Sequence, residues 1–326
     1  MALFWDLIPL FYNLVSTEQY HRDQAEVIIE NINDFGFDLL KVFNQDHGLE
    51  DKNVFYSPAS ISLSLAIVFL GSSGNTAHQI AKAFKWYNYE FEDVHLVLKS
   101  FQEAMQESEH ENLELKIANR IWGHHELHEA NEFKQRSLAF YNSHLAKVYF
   151  KGSSERARVE INNWVEQNTA RKIKNFLPPK AVDPDTRLAL INAIYFKGTW
   201  LYAFQQERSY HAPFYTSSDR DNFVEVEMMT RKSNHNYFSD EEHDCQIIEL
   251  PYSGNDISMF IVLPNELDGV YQLERMITSE TLSPWVMSLQ NTTVKVSIPK
   301  FKLSQHFELK EALNKQKNVF LRFLPH

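Results

Sequence analysis

The residues best suited to metal chemistry are three histidines, His124, His125 and His128, in the segment GHHELHE. A zinc-protease helix needs two histidines four residues apart, with a glutamate directly after the first, so that both imidazoles share one face. His125 precedes a glutamate but lies only three residues from His128. His124 and His128 have the required spacing, but the segment after Gly123 is predicted to be a loop. We therefore expect a solvated polar loop and no metal ion.

Other signals for catalysis are weak. Residues 71–74 read GSSG, which differs from the G-x-S-x-G turn of hydrolases, and no predicted strand precedes them. Cys245 is the only cysteine, which excludes an internal disulfide, a multi-cysteine zinc site and a CxxC redox pair. It lies in a strand-like run and is predicted to be buried and inert. The sequence thus predicts no catalytic residue, no cofactor and no enzyme activity.

The overall composition is typical of a globular protein without long linkers. Of the 326 residues, 44% are hydrophobic, and there are only 9 Gly and 11 Pro, which favours one large domain or two tightly fused layers. The formal net charge of −11 argues against nucleic acid or an anionic membrane surface as a partner.

The N-terminal segment is predominantly apolar. Residues 2–15 are too few to span a bilayer and are followed by Ser16 and Thr17, which resembles the core and cleavage site of a signal peptide. However, Asp6 interrupts the run, and no Lys or Arg precedes it. We expect a secreted protein, with residues 1–16 as a signal peptide or N-terminal extension. A cytoplasmic protein is the alternative that stays open.

The first half of the chain is predicted to be mainly helical. The spacing of apolar residues predicts helices over residues 27–43, 61–70, 87–112 and 159–176. The second of these is apolar on almost every side, as expected for a buried helix. Short strands are predicted over residues 54–56 and 113–121, and Thr76 is expected to cap a further helix.

The most informative segment is a run of residues, 188–196, that is apolar on both faces. Such a run is typical of a strand in the middle of a covered sheet. Its one polar residue, Asn192, must find hydrogen-bond partners or cost about 1–3 kcal/mol. We therefore predict that Asn192 belongs to a buried polar network that crosses the sheet.

The second half of the chain is largely β in pattern. Residues 247–250 and 259–263 flank a turn-rich segment and predict a hairpin. Residues 269–277 predict a helix, and the alternation in residues 293–299 predicts a strand. The sequence NTT that begins at Asn291 is a sequon, which makes Asn291 a possible N-glycosylation site.

Four blocks of the sequence, in this order, resemble the serpin family. They are residues 53–84, residues 190–200, a third block made of residues 226–229, 237–238 and 248–264, and residues 294–303. The resemblance spans residues 30–313, which we interpret as an incomplete serpin domain. It implies an α+β fold of three β-sheets surrounded by about eight or nine helices.

The resemblance also implies a function, which is to trap a serine protease or sometimes a cysteine protease. In inhibitory serpins the protease cleaves an exposed reactive loop, which then inserts as an extra strand into the large sheet. By resemblance, Ser57, Ser60 and Asn192 match the polar network beneath that sheet, which is called the shutter. Trp200 matches the aromatic residue at the breach, the end of the sheet where insertion begins.

The C-terminal sequence departs from the family pattern. Residues 314–326 read NKQKNVFLRFLPH, without the Glu-rich, Ala/Thr-rich hinge or an identifiable scissile bond. We interpret them as a divergent tail on a serpin truncated before its reactive loop and last strands. The histidine that would complete the Ser57–Asn192 network is also missing. Two functions stay open: a serpin-type protease inhibitor, and a non-inhibitory truncated binding protein or splice product, which we favour for this chain.

Two further expectations concern partners. The predicted helix around residues 90–105 carries several acidic residues with the single lysine Lys99, so we expect no heparin binding. In the family, a strand from beyond the present C-terminus lies between the strands that match residues 188–196 and 293–299. Without it, exposed apolar strand edges are expected to cause self-association.

Overall fold

The structure is a computed structural model that describes residues 2–6, 19–45, 53–215, 219, 221–306 and 309–315. The described residues form nine α-helices and nine β-strands, which agrees with the predicted α+β class. The helices are α1 (Gln19–Asn44), α2 (Pro58–Leu70), α3 (Gly74–Ala83), α4 (Phe91–Glu107), α5 (Asn131–Tyr141), α6 (Phe150–Asn168), α7 (Val270–Met276), α8 (Ser279–Met287) and α9 (Leu309–Lys315). The strands are β1 (Ala2–Asp6), β2 (Leu113–His124), β3 (Ala146–Val148), β4 (Leu188–Gly198), β5 (Tyr210–Tyr215), β6 (Phe223–Asp240), β7 (Cys245–Pro251), β8 (Ser258–Pro264) and β9 (Gln290–Pro299).

The chain divides into two compact units. The six-strand unit is built mainly from residues 198–305, with residues 1–13 and 37–55. The three-strand unit is built mainly from residues 56–197, with residues 14–36 and 306–326. Each unit contains one β-sheet, after which it is named here.

The sheet of the six-strand unit has the order β1-β8-β7-β6-β5, and β9 also pairs with β6. The 18-residue strand β6 pairs with β5 through residues 223–228, with β9 through residues 228–237 and with β7 through residues 237–240. Because β6 runs unbroken through all three pairings, the described strands form two sheets, whereas the resemblance implies three.

The core of the six-strand unit lies around the predicted hairpin of β7 and β8. Ile247 and Val262 face each other in the register of this hairpin, and neither side chain is exposed to solvent. All of residues 258–262 are buried, and β8 pairs with β1 on one side and β7 on the other. This burial explains why the sequence of β8 is almost entirely apolar.

The sheet of the three-strand unit has the order β3-β2-β4, with β2 and β3 parallel. Helix α6 contributes Ile161 and Val165 to a core cluster that also contains Ile191 and Ala193 of β4. Ten of the thirteen residues of α2 are buried, as its apolar sequence predicts. Strand β4 comes last in the order of the described strands, which differs from the middle position predicted for it.

Some predicted boundaries are wrong. Residues 54–56 are in no strand, and α3 begins after Ser73 rather than at a Thr76 cap. Helix α6 ends at Asn168 and does not continue to residue 176. The reason is that Ala170 and Arg171 adopt left-handed backbone angles, which an α-helix cannot continue.

The predicted loop after Gly123 begins one residue later than expected, because β2 continues through His124, whereas residues 125–130 lie in no helix or strand. The backbone N–H of His124 donates to the carbonyl oxygen of Arg187 at 2.9 Å, which keeps it attached to the sheet. At the N-terminus, residues 2–6 form β1, whereas the rest of the predicted segment 1–16 lies outside the described residues. The tail from residue 316 onward also lies outside them.

Candidate functional site

A cluster of neutral polar side chains joins helix α2 to the three-strand sheet. Ser57 lies directly before α2, and its hydroxyl oxygen accepts from the backbone N–H of Ser60 at 3.1 Å, as an N-cap does. The proline at the first helical position favours the same helix start. Ser60 and Ser64 are one turn apart, so their hydroxyls lie on one helix face, and both residues are fully buried.

The centre of the cluster is Asn192, which projects from β4. Its Nδ2 atom donates to Ser60 Oγ at 2.7 Å, to Asn119 Oδ1 at 2.8 Å and to Ser64 Oγ at 3.1 Å. An amide NH₂ has two hydrogens, so at least one of them is shared between acceptors. Asn119 lies on β2, and the network of these four residues therefore connects two strands with one helix.

Asn119 closes the network. Its Oδ1 also accepts from Ser60 Oγ at 3.2 Å, and its Nδ2 donates to the carbonyl oxygen of Ser60 at 3.2 Å. Both asparagines are partly buried, and all of these hydrogen bonds join uncharged groups, so the network carries no unpaired ion. The structure brings Asn192 and Ser60 together, whereas Ser57 acts as the helix cap.

Sequence reasoning missed Asn119 and Ser64. Ser64 could have been found from its position one turn after Ser60 on the same helix face. Asn119 is a polar residue in the middle of an otherwise alternating strand, but nothing in the sequence indicates that β2 lies beside β4. Its role depends on a long-range strand pairing.

Trp200, the second predicted site, lies in the six-strand unit. Its ring stacks on Tyr252 with 4.5 Å between the centroids and 12° between the planes, and the two residues form an isolated β-bridge. Burial raises the pKa of the Tyr252 phenol well above its usual value. Trp200 also contacts the edge of Phe204 at 6.3 Å between centroids. The three rings thus fix the chain just after β4.

Comparison with known proteins identifies the family. The serpin (serine protease inhibitor) family profile matches residues 30–319. Serpin B4 of Homo sapiens is 35% identical over 295 residues, which cover 86% of this chain and 74% of that protein. The leukocyte elastase inhibitor of Equus caballus is 36% identical over 281 residues, which cover 84% of this chain and 72% of that protein. The structure of emu ovalbumin superimposes with a TM-score of 0.82 at 31% identity, covering 89% of this chain and 78% of ovalbumin. The chain belongs to the serpin family.

This membership confirms the resemblance seen in the four sequence blocks. The serpin family is one of protease inhibitors and not of enzymes, in agreement with the expectation that this chain has no enzyme activity. In the described part of the chain, every helix falls short of the length and apolar character needed to cross a membrane.

The remaining predicted site residue of this serpin is Asn291. It is exposed on β9, where it faces Asn236 of β6. The hydroxyl of Thr293, the third residue of the sequon, donates to Asn234 Oδ1 at 2.6 Å. The Asn291 side chain is therefore accessible, and the sequon begins at the second residue of β9.

One buried pair in this serpin was not predicted from the sequence. His95 on α4 is fully buried, and its Nδ1 atom forms a short hydrogen bond with the hydroxyl of Tyr141 on α5. Burial, together with the nearby positive charge of Arg136, lowers the pKa of His95 from 6.5 to about 3. Burial also raises the pKa of Tyr141. His95 is therefore neutral at physiological pH, and the pair is structural.

Proposed function

We propose that this protein is an inhibitor of serine or cysteine proteases in which the three-strand sheet accepts an inserted strand beside β4. The observation that carries the proposal is the position of β4 in that sheet. Among the described strands it comes last, with its centre held to α2 by the Asn192 network. Strand addition supplies main-chain hydrogen bonds, which are the main source of affinity in this mode of recognition.

The properties of the Asn192 network fit such a sheet. Its hydrogen bonds are 2.7–3.2 Å long and uncharged, so breaking and remaking them during strand insertion costs less than breaking a buried ion pair. By family resemblance, Ser57, Ser60 and Asn192 form the shutter, and Trp200 marks the breach. We extend the shutter to Ser64 and Asn119 because both accept from Asn192.

A second candidate is a serpin-like protein that binds a partner without trapping a protease. The observation in its favour is the composition of residues 314–326, which differs from the Ala/Thr-rich hinge of the family pattern. We expect no heparin binding by either form. Glu92 and Asp93 occupy the first turn of α4, and no basic residue lies in its last turn.

The test compares the 326-residue chain with a chimaera. In the chimaera, the region after residue 313 is replaced by the corresponding region of the leukocyte elastase inhibitor, whose name specifies its target. We expect a time-dependent, SDS-stable complex between the chimaera and leukocyte elastase, because residues 1–313 of this chain supply the sheet that accepts the inserted strand. Elastase without its nucleophilic serine is the matched control and should form none.

The outcomes separate the two candidates. If the chimaera is cleaved as an ordinary substrate and no complex forms, residues 1–313 cannot support protease trapping, and the second candidate is favoured. The unmodified chain is tested in parallel, and the second candidate predicts that it forms no adduct with trypsin-, chymotrypsin- or elastase-like enzymes. An adduct of that chain would contradict the truncation hypothesis and support inhibition directly.

The pairing of the N-terminal strand β1 bears on the two locations that stay open, secreted and cytoplasmic. Residues 2–6 form β1, which pairs with β8 over its whole length, and cleavage of a signal peptide near residue 16 would remove this strand. This pairing favours the cytoplasmic alternative over secretion. N-terminal sequencing of the protein from cells decides between them, since a start near residue 17 would support secretion. In that case Asn291 becomes a glycosylation site, detectable as a mass loss after treatment with N-glycosidase.

A further inference from the structure

His124 is a buried histidine whose ring has no polar partner. Only 2% of its surface is exposed, and neither Nδ1 nor Nε2 forms a hydrogen bond. The nearest carboxylate, that of Glu126, lies 3.7 Å from Nε2, which is too far for a hydrogen bond. A buried donor or acceptor without a partner costs about 1–3 kcal/mol. The imidazole of His124 is therefore available to a metal ion.

The residues that follow His124 bring two further metal ligands to it. One ligand atom each from His124, His125 and Glu126 lie within 4.8 Å of one another. The turn that allows this is closed by the Leu127 N–H, which donates to the His124 carbonyl oxygen at 2.8 Å. In a tetrahedral zinc site the ligand atoms are separated by about 3.3 Å. His125 and Glu126 are exposed and can move that distance by side-chain rotation.

We propose that His124, His125 and Glu126 bind one divalent transition-metal ion, with Zn²⁺ as the best match. Two imidazole nitrogens and one carboxylate oxygen are the ligands of many zinc sites. Binding gives one nitrogen of the buried His124 ring the partner that it lacks. The expectation of no metal ion rested on a helical spacing and a solvated loop. The proposed ligands need no helical spacing, because they are consecutive residues at the end of β2 and in the exposed turn that follows it.

The proposed ion would fix one end of the three-strand sheet. The His124 N–H donates to the Arg187 carbonyl oxygen just before β4, and the His125 N–H donates to the Val148 carbonyl oxygen of β3, both at 2.9 Å. The ligand turn is thus attached to the neighbours of β2 on both sides. Metal binding should slow amide hydrogen exchange in this turn. None of the ligands belongs to the Asn192 network, so this proposal and the proposed function can fail separately.

The experiment is titration of the purified 326-residue protein with Zn²⁺ by calorimetry, and with Co²⁺ by visible absorption. We expect one tight site per chain and the absorption bands of tetrahedral Co²⁺ with nitrogen ligands. His125→Ala and Glu126→Gln should each weaken binding by about tenfold or more, because each removes one of three ligands. His124→Gln should abolish the site. His128→Ala is the matched control and should bind as the unmodified protein does.

Because His124 is buried, its substitution can disturb folding. The substitutions of the exposed residues His125 and Glu126 therefore decide whether the metal site exists. Hydrogen exchange of residues 124–127 provides a second measurement, with slower exchange expected on Zn²⁺ addition only when both His125 and Glu126 are present. Unchanged affinity in His125→Ala and Glu126→Gln would overturn the proposal. An equal loss in His128→Ala, or no binding at millimolar Zn²⁺, would also overturn it.

Discussion

The two sheets of this serpin differ in how their strands are held. In the six-strand unit, β8 pairs on both sides and buries residues 258–262 without interruption. In the three-strand unit, β4 comes last among the described strands, and only Ile191 and Ala193 are buried along its eleven residues. One sheet is a fixed core, whereas the other is held at its centre by a polar network. This difference is the reason for proposing that an added strand pairs with β4.

The largest expected effect is that of a charge in the fixed core. Val262→Asp should destabilise the protein by about 4 kcal/mol or more, because the carboxylate would be completely buried opposite Ile247. Denaturant unfolding followed by circular dichroism measures this loss. Val262→Ile is the conservative control. A loss below about 1 kcal/mol would show that this sheet is not rigidly packed.

The same charge in β4 should cost less. Ile194 is only partly buried, so we expect Ile194→Asp to destabilise by about 2 kcal/mol in the same unfolding experiment. An equal or larger loss than for Val262→Asp would remove the distinction between the two sheets.

Acid should weaken the three-strand unit through His95. The pKa of His95 is about 3 in the folded protein and 6.5 in the unfolded chain, so below pH 6.5 the unfolded chain binds a proton that the folded protein does not. Stability is therefore lost as pH falls from about 6.5 toward 3, by about 2 kcal/mol between pH 7 and pH 5. Unfolding curves at both pH values test this. His95→Gln should flatten the pH dependence, and an unchanged slope would contradict this explanation.

The smallest expected effect is removal of the network's central amide. Asn192→Leu should cost about 1 kcal/mol or less, since Ser60 and Asn119 still bond to each other. The loss of stability should be smaller than for Ile194→Asp. The leucine needs no hydrogen-bond partner, whereas the aspartate introduces an unpaired charge into a partly buried position. The reverse order, measured by denaturant unfolding, would contradict the network interpretation.

The chain is also expected to self-associate. Apolar strand edges such as that of β4 recruit other strands. Size-exclusion chromatography of the 326-residue chain should show oligomers. A monodisperse monomer with strongly protected amides in both residues 188–196 and residues 293–299 would contradict this prediction.

The sequence predicted what depends on local pattern. The apolar run of α2, the hairpin of β7 and β8, and the need of Asn192 for polar partners all follow from residue type and spacing. It did not predict Asn119 as a partner or the burial of His124, because both depend on strand pairing between distant parts of the chain. The early end of α6 depends on backbone angles at Ala170 and Arg171, where neither residue type favours a left-handed conformation.

The central claim is that β4 accepts the inserted strand while the six-strand sheet stays fixed. Hydrogen exchange of the chimaera before and after cleavage by elastase tests it most directly. The account predicts that exchange of residues 188–196 becomes much slower after cleavage, whereas residues 245–251 and 258–264 are slow throughout. Unchanged exchange in residues 188–196, or a change confined to the six-strand sheet, would contradict it.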